Sequence, residues 1–253
     1  LSKNRLIVIY NITMKEIEII AEIGWNHMGD SNLAEKMISA AKASGANIVK
    51  FQYWDPKYLK DGPWDSDGRR EIYKKAALTP EKVIELKEIS ESIGCIFLIS
   101  VFGTIGAKTI YDLGIKNIKI PSHETTNKKL IEYCSKNFEY IYFSAGASES
   151  NDVVNACNIL KNGKADFNLM HCVSSYPVRD ENANLNRINW LKTLHEDIGY
   201  SDHTQSTIVP ALAIMNGATV IEKHFTIDKD LPGRDNKFAL DQNEFAIMSN
   251  NIA

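Results

Sequence analysis

The sequence predicts an α/β protein, specifically a closed, parallel, eight-stranded (β/α)8 TIM barrel. Short β-branched runs alternate with amphipathic stretches along the whole chain, eight units in order. The length, 253 residues, matches the roughly 250 that one such barrel requires. Ionisable side chains gather where the runs end, His203 in GYSDHT and His224 in VIEKHFT among them, and that is where barrels place their ligands. An open doubly wound sheet is the runner-up, but no G-x-G-x-x-G follows the first strand.

The predicted strands are Ile17–Ala21, Ile48–Phe51, Cys95–Ile99, Asn117–Ile120, Tyr140–Phe143, Phe167–His171, Ile198–Ser201 and Thr219–His224. Helices are predicted over Asn32–Ala43, Pro80–Ile93, Ile105–Leu113, Asn127–Lys136, Asn151–Leu160, Arg187–His195 and Thr207–Met215, with an eighth from Gln242 onward. Capping chemistry supports several starts: Asp30-Ser31, Thr79-Pro80-Glu81 and Glu149-Ser150-Asn151-Asp152. Glycine-containing exits such as Ile93-Gly94-Cys95 and Asn216-Gly217-Ala218 end helices before the next strand. The whole chain reads as a single barrel domain, with residues 1–16 left over as an N-terminal cap. One connection, Tyr53 to about Leu78, is unusually long. With Trp54 and Trp64 it reads either as a lid or substrate wall, or as a surface excursion whose tryptophans pack on the rim.

Hydrophobic residues make up 44% of the chain and charged residues 24%, as in ordinary globular proteins. Net charge is −3 and no run of like charge stands out, which argues against nucleic acid or an anionic membrane as main partner. No apolar stretch approaches the roughly 20 residues that span a bilayer. Cys95, Cys134, Cys157 and Cys172 form no C-x-x-C pair, so reduced thiols in a cytoplasmic protein are the simplest expectation. The chain begins at leucine, so further sequence at either end is allowed for.

The predicted strand ends carry Glu22, Lys50 and Gln52 (same face by the period of two), Ser100, Lys119, Ser122, His123, Glu124, His171, Cys172, Ser174, Tyr176, Ser201, His203 and His224. A buried lysine beside a carboxylate is by itself an inert ion pair, but the set on one rim points to an active site. Two imidazoles at one end of a sheet begin a metal site, and two strand-borne lysines suit a phosphorylated or carboxylated substrate. His27 reads as ordering the first loop, His195 as structural and Cys172 as a small buried apolar group. His171 is left open as a third ligand. Lys223, opposite His224 in parity, is expected to pair with a carboxylate outside the barrel core.

AEIGWNHMGD followed by GANIVKFQ resembles the sialic acid synthase (N-acetylneuraminate synthase) family. KIPSHETTN, MHCVSSYP, GYSDHT, IEKHFT and LPGRDNKFAL follow in that family's order and cover nearly the whole chain. The resemblance implies condensation of phosphoenolpyruvate with an N-acetylated amino sugar, N-acetylmannosamine or a relative, to a nonulosonic 2-keto acid with release of phosphate. It implies a phosphoenolpyruvate pocket of Lys50, Ser100, Lys119, Ser122, Ser174 and Ser201. A divalent metal, Mn2+ or Mg2+, would sit on His203 and His224. Glu22, Gln52, Glu124, Tyr176 and Asp235 would face the sugar and the reacting carbons, and the protein would be a homodimer. For activating the attacking water Glu124 is the first candidate and Glu22 the second. Departures from the pattern fall on the sugar side: Trp25, His123, Ser174 and the neighbours of Asp235. The family's small C-terminal antifreeze-like domain is not among these residues: either the sequence is a piece of a longer protein, or the acceptor site is completed otherwise, with Tyr53–Leu78 one source. Other readings are a related 3-deoxy sugar acid synthase, a Schiff-base aldolase using Lys50, Lys119 or Lys223, and a non-catalytic sugar-binding barrel.

Overall fold

Eight strands hydrogen-bond in sequence order and close on themselves as a parallel barrel: β1 (Glu18–Gly24), β2 (Ile48–Tyr53), β3 (Ile96–Val101), β4 (Asn117–Ile120), β5 (Tyr140–Ser144), β6 (Asp166–Cys172), β7 (Ile198–Asp202) and β8 (Val220–His224). The computed structural model describes residues 17–58, 60–62 and 65–252. The N-terminal cap expected over residues 1–16 and the role expected for Trp64 lie outside the described residues. Each predicted strand is present, several running one to three residues further than the sequence pattern suggested. The extensions carry the polar side chains, which weaken the apolar signal at the strand ends.

Around the barrel stand α1 (Ser31–Ala43), α2 (Arg69–Ala76), α3 (Pro80–Ile93), α4 (Gly103–Asp112), α5 (Lys128–Asn137), α6 (Ser150–Lys161), α7 (Arg187–Leu191), α8 (Val209–Met215) and α9 (Gln242–Ile252). The caps read from the sequence act as expected. Asp30 accepts from the backbone N–H groups of Asn32 and Leu33, and Thr79 accepts from Lys82. Glu149 and Asp152 complete a capping box at α6. Gly94 ends α3 in the left-handed region at φ 85°, where a Cβ would be strained. The expected helix over Arg187–His195 is shorter, because its last residues tighten into a hydrogen-bonded turn.

The long connection after β2 contains a helix, α2, that the sequence pattern did not reveal. Tyr73 on that helix packs edge-on against Trp25 and Trp54, with centroids 4.5 and 5.1 Å apart. The connection therefore rests on the barrel rim through Trp54, as the surface-excursion reading expects. Between barrel and helices lies the main core, with Ile23, Val49, Phe51, Ile99, Ile118, Phe143, Leu169 and Ile221 all buried. A second, smaller core fills the barrel interior: Ile20, Ile48, Leu98, Tyr142, Met170 and Val220. Among the described residues no helix is long and apolar enough to cross a membrane.

Candidate active site

The interior core fixes what stands above it. Side chains two residues apart on a strand share a face, so the next inward layer is read by adding two to each interior core position. Ile20 is followed by Glu22, Ile48 by Lys50, Leu98 by Ser100, Tyr142 by Ser144, Met170 by Cys172 and Val220 by Glu222. These six side chains form the floor of a cavity of about 220 Å³ at the C-terminal ends of the strands. Gln52, Phe102, Lys119, Ser122, Tyr176 and Ser201 continue its walls, as do His203, His224, Arg234 and Asp235.

The floor is a network of opposite charges. Lys50 Nζ lies 2.7 Å from Glu22 and 3.7 Å from Glu222. Lys119 Nζ donates to Glu222 at 2.8 Å, and Ser201 Oγ donates to the other oxygen of Glu222 at 2.9 Å. Gln52 Nε2 donates to Glu22 at 2.6 Å. Burial opposes the charged form of Glu222, but Lys119 and Lys50 outweigh it and pull the pKa down to about 2. For Glu22 burial dominates, and Glu222 adds to it, so its pKa rises despite Lys50. Lys50 is held above its ordinary value because Glu22 and Glu222 overcome its burial, whereas burial lowers Lys119. The result is one firmly anionic carboxylate and one more basic carboxylate beside two cations.

His203 and His224 stand side by side at the rim, ring centroids 5.7 Å apart. Nδ1 of His203 is 2.6 Å from the Val173 carbonyl, which makes it the protonated nitrogen and leaves Nε2 with its lone pair. Burial lowers both pKa values, that of His224 to about 4, so both rings are neutral, as metal ligands must be. His224 Nδ1 is buried without a hydrogen-bond partner, 3.8 Å from Asp235. The donor set therefore fits a divalent cation held by two imidazoles, with other positions left to water or substrate oxygen. Among the described residues no group of three or more His, Cys, Asp or Glu side chains is arranged to hold a metal alone.

Of the residues singled out from the sequence, Glu22, Lys50, Gln52, Ser100, Lys119, Ser122, Tyr176, Ser201, His203, His224 and Asp235 all meet at this cavity. Two do not line it. Glu124 lies in the 3-10 turn Ser122–Glu124, where successive residues rotate by about 120°, so it cannot share the face of Ser122. Its carboxylate instead accepts from Asn127, the cap of α5, at 2.6 Å. Ser174 stands behind Ser122, their hydroxyls 3.0 Å apart. Gly146 makes room for this pair. A Cβ there would fall 2.7 Å from Ser174 Oγ and 2.4 Å from Cys172 Sγ.

Of the remaining histidines, His123 lines the cavity and the other three are structural. His27 Nδ1 accepts from Gly29 N within the first loop, and His195 stacks on Phe167. His171 points out of the barrel, packs on Tyr200 and bonds the Ala183 carbonyl, which removes it as a third ligand. Lys223 also points outward and pairs with Asp202 at 2.5 Å, as its parity required. Sequence reasoning gave no role to Glu222, which it read at the end of the eighth strand, and none to Ser144 or Arg234. The period of two from His224 identifies Glu222, and β5 running one residue further identifies Ser144. Nothing local signals Arg234.

One wall is aromatic. Trp25 stacks on Trp54 with centroids 5.6 Å apart, Trp54 faces Phe102 at 6.2 Å, and Phe102 stacks on His123 at 5.1 Å. Tyr176 covers both imidazoles, 4.2 Å from His203 and 6.0 Å from His224.

A (β/α)8 barrel with a cationic, imidazole-bearing cavity at the C-terminal strand ends has the architecture of a barrel enzyme. The chain belongs to the NeuB family, whose model matches residues 37–253. It is 36% identical over 251 residues to the N,N'-diacetyllegionaminic acid synthase of Legionella pneumophila, covering 92% of this chain and 70% of that protein. It is 32% identical over 249 residues to a pseudaminic acid synthase of Campylobacter jejuni, covering 93% and 73%. The crystal structure of N-acetylneuraminic acid (sialic acid) synthetase from Leptospira borgpetersenii, in complex with citrate, superposes with a TM-score of 0.87 at 33% identity. That match covers 94% of this chain and 83% of that one.

Proposed function

We propose that this protein condenses phosphoenolpyruvate with an N-acylated amino sugar to give a nonulosonic 2-keto acid and inorganic phosphate. The observation that carries the reading is the pairing of two buried lysines with two neutral imidazoles in one cavity. Relatives named as legionaminic, pseudaminic and sialic acid synthases support it. Phosphoenolpyruvate carries a phosphate and a carboxylate. Lys50 and Lys119, with the hydroxyls of Ser100, Ser122 and Ser201, supply the cations and donors both groups need. Glu222 keeps the two ammonium groups apart and charged until the substrate dianion takes over part of its role.

His203 and His224 would hold a divalent cation, Mn2+ or Mg2+, which supplies Lewis-acid polarisation of the acceptor's carbonyl oxygen. C3 of phosphoenolpyruvate attacks the acceptor's carbonyl carbon, and a water adds to C2. The tetrahedral carbon then expels phosphate by C–O cleavage, leaving the 2-keto acid. We assign Glu22 to take the proton from that water. It lines the cavity, its basicity is raised by burial, and Gln52 and Lys50 fix its orientation. Glu124, turned toward Asn127, is left to support the α5 cap. Asp235 and Arg234 flank the acceptor side.

The test is phosphate release from phosphoenolpyruvate with manganese across a panel of N-acylated sugars, with and without EDTA, and with product masses read from the same tubes. Metal-dependent release with a product of summed mass, plus water and minus phosphoric acid, is the expected result. Tight phosphoenolpyruvate binding with no release from any sugar would instead favour a non-catalytic barrel.

A further inference from the structure

The loop between β8 and α9 brings Arg234 and Asp235 to the cavity, yet neither side chain is held there by a close contact of its own among the described residues. Arg234 Nη1 reaches the Tyr73 hydroxyl only at 3.5 Å, and the Asp235 carboxylate stands 3.8 Å from His224 Nδ1. Their places are therefore set by the loop backbone. The loop is a compact excursion with its ends tied together: Thr226 N donates to the Leu240 carbonyl, and Leu240 N to the His224 carbonyl. One polar side chain fills its interior. Asn236 directly follows Asp235 and is wholly buried. Its Nδ2 donates to the carbonyls of Leu231 and Gly233, both at 3.2 Å, and its Oδ1 accepts from the Thr226 hydroxyl at 2.6 Å. Both amide hydrogens are thus in use. Gly233 lets the amide come this close, for a Cβ there would fall 2.6 Å from Asn236 Nδ2 and 3.0 Å from Asn26 Oδ1. Asn26 in turn donates to the Phe225 carbonyl at 3.0 Å, which braces the loop from the first strand's end.

We propose that Asn236 is a positioning residue: it latches the β8–α9 loop from within and so holds Arg234 and Asp235 at the acceptor side of the cavity. This rests on the condensation reading above and names a residue that governs acceptor binding without touching the acceptor. Without the amide, the carbonyls of Leu231 and Gly233 lose their side-chain donor, a cost the loop relieves by turning them to water. Arg234 and Asp235 lie between Gly233 and Asn236 in the chain, so that turn moves both. A shift of about 1 Å at substrate-binding groups costs on the order of 10- to 100-fold in rate. Phosphoenolpyruvate is spared, because Lys50, Ser100, Lys119 and Ser201 lie on strands rather than on this loop.

The experiment measures phosphate release with manganese, phosphoenolpyruvate and the best acceptor of the N-acylated panel, for wild type, Asn236→Leu, Thr226→Val and Thr226→Ser. Leucine matches asparagine in shape, removes all three side-chain hydrogen bonds and adds no charge. Asn236→Leu should raise the acceptor KM about 10-fold or more, while the KM for phosphoenolpyruvate stays within about 2-fold. Thr226→Val removes the donor to Oδ1 and should move the acceptor KM the same way by about 3-fold. Thr226→Ser keeps the hydroxyl and should behave as wild type. A split between the two substrates that serine restores does not come from loss of folded protein, which lowers kcat alone. An unchanged acceptor KM in Asn236→Leu, or both KM values rising together, overturns the proposal while leaving the reaction intact. Hydrogen exchange reads the latch without turnover: backbone N–H groups of residues 226–240 should exchange about 10-fold faster in Asn236→Leu, and the rest of the barrel should not change. Should no sugar support phosphate release, the reaction reading fails and exchange alone decides. Faster exchange confined to the loop sustains the latch, and unchanged exchange removes it. If Asn236→Leu does not fold, the Thr226 pair decides by the same readouts: an effect in Thr226→Val that is absent from Thr226→Ser sustains the latch, and equal values overturn it.

Discussion

Lys119 Nζ and Glu222 Oε2 stand 2.8 Å apart on the floor of the barrel, although 103 residues separate them in the chain. Both are almost wholly buried. Lys50 and Ser201 complete the shell around the same carboxylate. Removing Glu222 therefore leaves two buried cations without their shared partner. Glu222→Gln should destabilise the fold by about 3–5 kcal/mol in urea titrations at neutral pH. Unchanged stability would mean that the lysines find other counter-charges.

The same carboxylate sets an acid limit. Its folded pKa of about 2 lies below its ordinary value of 4.5, so the unfolded chain binds the proton more readily between those values. The stability it contributes is complete above about pH 4.5 and is lost as pH falls toward about 2. Urea midpoints measured through that window should fall for wild type. For Glu222→Gln the fall should be shallower.

The imidazoles should act as a unit. His203→Ala and His224→Ala should each lower manganese-dependent phosphate release by about 100-fold or more, equivalent to roughly 2.7 kcal/mol of transition-state stabilisation. Binding of phosphoenolpyruvate should change little, because its lysines lie on other strands. EDTA should reproduce the loss in wild type and added manganese should reverse it. A variant that retains full EDTA-sensitive turnover would take its histidine out of the ligand set.

Gly146 tests the serine pair. A methyl group there would sit 2.4 Å from Cys172 Sγ and 2.7 Å from Ser174 Oγ, so both must move, and Ser122 with them. Gly146→Ala should cost about 1–3 kcal/mol of stability by overpacking and should weaken phosphoenolpyruvate binding in calorimetry. Normal affinity would show that Ser122 does not contact the substrate.

Asp202 provides the contrast from the other face of the barrel. Its ion pair with Lys223 is fully buried and points away from the cavity. Asp202→Asn should destabilise the protein by about 3–5 kcal/mol in urea, because Lys223 is left charged and unpaired. Phosphoenolpyruvate affinity should stay at the wild-type value. A matching loss of affinity would tie this pair to the site.

The sequence by itself determined the alternation of eight strands and eight flanking helices, the caps, and the parity that turns Lys50, Gln52, Ser201 and His224 inward and Lys223 outward. These are short-range properties: the period of two along a strand and the hydrogen bonds of a helix end are written within a few residues. Only the tertiary structure decided which charge meets which. Closure of the barrel sets β1 beside β8, so that Glu22 pairs in register with His224, and it carries Lys119 across the floor to Glu222. It also decided that Glu124 turns toward Asn127, that Arg234 reaches the cavity, and that α2 presses Tyr73 onto the Trp25–Trp54 stack. The reason is that a ring of parallel strands joins residues by register around its circumference, and that register depends on the packing of the whole barrel rather than on any one segment.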